Sequence, residues 1–114
     1  MTNPVEAQAI LRGALADVVA ELGKPARLDV GSLNVSGAWA FLYARIEEPD
    51  GKLVDYAGTK FDGEQRSSVY AALLRGGAGQ WDLAASVIGP TDMAWWNWGE
   101  KYSAPAEVFE ISGN

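Results

Sequence analysis

Apolar residues recur at helical spacing near the start of the chain: Ile10, Leu11, Leu15, Val18, Val19 and Leu22. They predict an amphipathic helix over residues 3–22 with one apolar stripe. Asn3 is positioned as N-cap, Pro4 at the first helical position, and Glu6 three residues after Asn3 completes a capping pattern. Gly23 supplies a left-handed C-terminal residue and Pro25 blocks continuation. Gly13, inside the helix, is expected to let the helix pack closely on a sheet.

The pattern then changes to alternation, which predicts strands. In residues 27–35, Leu28 and Val30 share one parity while Leu33 and Val35 share the other. The phase change at Gly31-Ser32 predicts a bulge or bend. Ser36-Gly37 marks a turn. Trp39 to Glu47 is the strongest strand, with Trp39, Phe41 and Tyr43 on one face and Ala40, Leu42, Ala44 and Ile46 on the other. Apolar residues on both faces predict a central strand. Pro49-Asp50-Gly51 is a tight turn, and Leu53 to Tyr56 reads as a short edge strand. Residues 57–67 read as an exposed, flexible loop. Ser68 to Arg75 and Trp81 to Ile88 are two further strands, joined by a hairpin loop at Gly76-Gly77-Ala78-Gly79.

After Gly89-Pro90, Thr91 or Asp92 is placed to cap a short helix reaching about Tyr102, stopped by Ser103-Ala104-Pro105. The tail continues through Val108, Phe109 and Ile111. Hairpin connections imply antiparallel pairing. The helical stripe must bury itself on a sheet face. The fold class is therefore α+β: an N-terminal helix packed on a four- to five-stranded antiparallel meander, with a short C-terminal helix. The order is similar to two-layer cystatin-like or NTF2-like arrangements.

Composition narrows the chemistry. The 114 residues include no cysteine and no histidine. That removes disulfides, thiolate metal sites, a cysteine nucleophile and the commonest general base. No metal and no cofactor is expected. The net charge of -6 opposes binding to a phosphate backbone, and the nine Lys and Arg residues form no basic run. No apolar run approaches the roughly 20 residues of a membrane helix. A chain this size forms one domain with a core.

Candidate chemistry concentrates at Asp92, Trp95, Trp96, Trp98 and Tyr102. On a helix starting near Asp92, Trp95, Trp98 and Tyr102 fall on one side, where core packing is the ordinary role of such a stripe. A helix this short cannot bury three adjacent aromatics, so Trp96 is expected at the surface as a binding residue. Asp92 serves as helix cap, or alternatively as a binding or catalytic carboxylate. Glu100 lies about 12 Å along a helix from Asp92, beyond the roughly 5–9.5 Å of a glycosidase pair. The acids of residues 50–64 read as solvated loop residues rather than a calcium site.

Trp39-Ala40-Phe41, Ala72-Leu73-Leu74-Arg75, Trp81, Gly89-Pro90-Thr91-Asp92, Trp95 and Tyr102-x-x-Pro105 together resemble a group of small bacterial proteins that often carry an export signal. The resemblance spans roughly residues 5–109 and implies no activity. It implies a periplasmic setting if a signal has been removed; otherwise the N-terminal sequence reads as cytoplasmic.

The leading functional reading is a non-catalytic binding or protein-interaction domain, with an inhibitor or immunity type as one form it can take. Its contact surface is the Trp-rich C-terminal segment, and its acidic balance suits a basic protein partner. Two alternatives stand beside it. One is an envelope glycan-binding module or carboxylate-dependent hydrolase. The other is a homodimer burying the tryptophans at its own interface.

Overall fold

The computed structural model describes residues 4–77 and 80–109. Helix α1 (Pro4–Leu22) is followed by strands β1 (Arg27–Ser36), β2 (Trp39–Glu47), β3 (Val69–Gly77) and β4 (Gln80–Ile88). A five-residue helix α2 (Trp98–Tyr102) and a 3-10 turn (Ala106–Phe109) follow. The strands form one antiparallel sheet in the order β1-β2-β3-β4, a simple meander, with β2 and β3 central. The architecture is α+β, as the alternation of patterns predicts. The expected Asn3 cap, the Ala78-Gly79 part of the hairpin loop and the Ile111 tail lie outside the described residues.

Helix α1 buries Ile10, Ala14, Val18 and Leu22, one residue per turn, against Ala40, Leu42, Ala44, Ile46, Tyr70, Ala72 and Leu74. The backbone N–H of Gly23, at φ +72, donates to the Val19 carbonyl at 2.8 Å and closes the helix. Gly13 departs from expectation. It is exposed, and a Cβ built there meets nothing within 4 Å, so it serves no close packing.

Two bulges set the faces of the sheet. In β1 the register shifts between Val30 and Ser32, leaving Gly31 as the extra residue. Leu28 before the bulge and Leu33 and Val35 after it consequently pack on the same helix-facing core despite their opposite parity. In β4 the register shifts at Ala84, between the Leu73–Ala85 and Leu74–Leu83 pairs. This second bulge is not evident from the alternation. It lets Trp81 face the helix while Ala85 and Val87 face the opposite side.

Another expectation changes. Leu53 to Tyr56 forms no strand; a single bridge links Glu47 to Leu53. Charge and hydrogen bonding hold this segment instead. Glu48 accepts from Lys24 Nζ at 3.0 Å and from the Asp55 backbone N–H at 2.9 Å, while Lys24 also donates to the Asp55 carbonyl at 2.6 Å. The loop of residues 57–67 is largely exposed, as expected, and is tied to the fold at two points. Phe61 packs on the core with the Arg66 guanidinium 4.3 Å from its ring centroid, and Tyr56 Oη donates to the Ser67 carbonyl at 2.6 Å.

Candidate functional site

The second sheet face presents Phe41, Tyr43, Ala71, Leu73, Ala85 and Val87, an apolar surface that must be covered. The C-terminal segment covers it, giving the sheet a helix on one side and an aromatic strap on the other. The crossing begins at Gly89, with φ +64. A Cβ there would lie 2.8 Å from Arg66 Cβ, the Ser67 carbonyl oxygen and Tyr56 Oη, so only glycine fits the turn. The Gly89 N–H donates to the Val69 carbonyl at 2.7 Å, and Ser67 Oγ donates to the Pro90 carbonyl at 2.6 Å.

The segment after Pro90 is not the helix expected from Asp92. Successive tight turns carry it across the sheet, closed by Trp96 N–H to the Met93 carbonyl and Trp98 N–H to the Trp95 carbonyl, each at 3.0 Å. Helix α2 starts only at Trp98, and Asn97 is its N-cap residue without a side-chain capping bond. Asp92 therefore caps no helix; it is exposed on the preceding turn. On these turns Trp95 and Trp98 both reach Phe41 on the sheet, a long-range contact that offsets the lost helical bonds. Ser103, left-handed at φ 58, ends α2, where the Ala104 N–H reaches the Gly99 carbonyl at 2.9 Å.

Trp95 and Trp98 are buried. Trp95 packs 5.7 Å from Tyr43 and 6.0 Å from Phe41 between ring centroids, and Trp98 meets Phe41 edge-on at 6.3 Å. Such tilted and edge-on contacts suit the ring quadrupoles. Phe109 packs 5.1 Å from Phe41, and the 3-10 turn is tied to β1 by Asn34 Nδ2 donating to the Val108 carbonyl at 3.1 Å. Tyr102 is half-buried in the same cluster. Of the candidate site residues, Trp95, Trp98 and Tyr102 thus form the strap's inner face.

Trp96 points the other way and is 78% exposed, with Met93 beside it at 60%. Two grooves flank them. One, of about 460 Å³, is lined by Asp92, Met93, Trp95, Tyr43, Ser67 and Pro90 among others. The other, of about 380 Å³, is lined by Met93, Trp95, Trp96, Glu100 and Phe109 among others. Met93 and Trp95 line both. Of the two carboxylates, Asp92 lines the first groove and Glu100 the second. Among the described residues, no three Asp or Glu side chains gather as a metal site, and no helix is long and apolar enough to cross a membrane.

Sequence reasoning passed over three of these residues. From the sequence, Tyr43 reads as sheet packing and Phe109 as tail, and no local signal marks Met93. Glu100 lines the same groove as Trp96 although Trp96 lies on the turn before α2. Comparison of the chain with family models, curated proteins and solved structures returns no match. The site is read from its own chemistry.

Proposed function

We propose that this chain is a non-catalytic protein-binding domain whose contact surface is the ridge formed by Met93 and Trp96. The single observation that carries the reading is the 78% exposure of Trp96 on a backbone held by buried neighbours on both sides. Exposing an indole sacrifices hydrophobic burial, and the adjacent Trp95 and Trp98 are buried by the same strap. A fixed, protruding tryptophan is the kind of anchor that dominates binding energy at protein interfaces. Little ordering is required of it on association, because Trp95 and Trp98 already hold the turns. The flanking grooves give a partner two depressions in which to seat side chains.

The placement of Asp92 and Glu100 in different grooves supports binding over two-carboxylate hydrolysis, which requires both acids across one substrate bond. The net charge of -6 favours a basic partner through electrostatic steering. The test is a pull-down from lysate with wild type and Trp96→Ala. A specific protein captured by the wild type and lost from the variant supports the reading. Capture unaffected by Trp96→Ala, with the fold intact by circular dichroism, places the contact elsewhere and removes it.

A further inference from the structure

The groove on the Trp96 side has chemistry specific enough to name what enters it. Its walls are Met93, Trp95, Trp96 and Phe109, with Gly99 packed close against the Phe109 ring, where a Cβ would come within 3.3 Å. Among its lining residues Glu100 alone is charged. Trp96 and Glu100 also share the adjoining hollow beside Asn97 and Lys101. Glu100 makes no ion pair among the described residues, and the ammonium of Lys101 lies 5.6 Å from the Tyr102 ring centroid.

A carboxylate at the rim of an aromatic-walled hollow offers a cation both an opposite charge and a ring face. A long basic side chain matches both parts, with its apolar stem along the walls and its charged head at the rim. An acidic side chain would meet Glu100 and the negative molecule as a whole. A purely apolar side chain would fill the hollow but desolvate Glu100 without pairing it. Resting on the protein-binding reading above, we propose that this hollow takes one arginine or lysine side chain of the partner protein. The cation sits against Glu100 and the Trp96 ring, and the stem lies against Met93 and Phe109.

The probe is a phage-displayed library of random heptapeptides, panned on the wild type and on Trp96→Ala. Both residues to be varied are exposed, and circular dichroism of each variant checks that the fold is kept. The expected result is enrichment on the wild type of peptides carrying Arg or Lys beside an apolar residue, lost on Trp96→Ala. A synthetic peptide from that set should bind Glu100→Gln roughly fivefold more weakly, the scale of one partly exposed ion pair. Peptides that need Trp96 but carry no basic residue, or that bind Glu100→Gln unchanged, overturn the proposed occupant while the interaction surface stands. Absence of any Trp96-dependent peptide overturns both.

Discussion

Tyr70 is fully buried on the helix-facing side of β3, and its hydroxyl donates to Asp17 Oδ2 of α1 at 2.8 Å. Burial, reinforced by the Asp17 carboxylate, pushes the phenol well above its ordinary value of 10. At neutral pH it is therefore a hydrogen-bond donor. Tyr70→Phe leaves Asp17 without that donor and should destabilise the protein by about 1–2 kcal/mol, measured by urea denaturation. Gly13 gives the opposite sign. It lies in the middle of α1, facing open space. Gly13→Ala should stabilise by about 1 kcal/mol and raise the melting temperature by roughly 4 °C. A thermal melt showing no gain would overturn the reading of Gly13 as a helix-interior glycine that the packing does not need.

At the scale of elements, the Glu48 clasp joins the end of α1 to the segment after β2. The Asp55 N–H, then Lys24, hold the Glu48 carboxyl below its ordinary value of 4.5. A lowered folded pKa means the contribution is complete above that value and fades as pH falls through the folded pKa. Wild type should therefore lose stability on acidification below about pH 4.5, and Glu48→Gln should flatten that part of the profile. The strap divides its tryptophans more sharply. Trp95→Ala should cost about 3–5 kcal/mol, because a large buried ring leaves a cavity. Trp96→Ala should cost less than about 0.5 kcal/mol. Paired denaturation curves check both.

These elements also indicate what the sequence reveals and where it stops. Helix α1 and the central position of β2 follow from spacing alone, because the apolar period is regular there; Trp96 is exposed as expected, but on a turn and not on the helix from which that expectation is drawn. The bulge at Gly31 announces itself through a change of parity. The bulge at Ala84 does not: Leu83, Ala84 and Ala85 carry no polar marker to show which residue is extra. Asp92 misled because its type and position match a helix cap. The backbone there is set instead by the demand that Trp95 and Trp98 reach Phe41, a contact with strand β2 more than fifty residues earlier. Tyr43 and Phe109 became groove residues for the same reason, through placement that no local pattern records.

For the molecule as a whole, the sheet is covered on both faces by segments from opposite ends of the chain. The helix-facing core does not include the strap, so the two layers are separate clusters sharing one sheet. A chain ending at Pro90 keeps the first core but uncovers Phe41, Ala71 and Leu73, which the full chain buries completely. It should bind a dye specific for exposed apolar surface and associate on size-exclusion chromatography, since a contiguous apolar face of this kind drives aggregation. A monomeric, dye-silent truncation would show that the sheet tolerates solvent on that side.

The exposed indole also makes the molecule its own optical reporter. Trp81, Trp95 and Trp98 are buried and Trp39 half-buried beside the Arg75 guanidinium, so Trp96 is the most exposed tryptophan. Emission from the folded protein is thus a sum of shielded fluorophores and one wetted by solvent. A collisional quencher such as acrylamide should remove the long-wavelength component first. A ligand seated on Trp96 should shift that component to the blue and protect it, so that occupancy is read from light with no label attached.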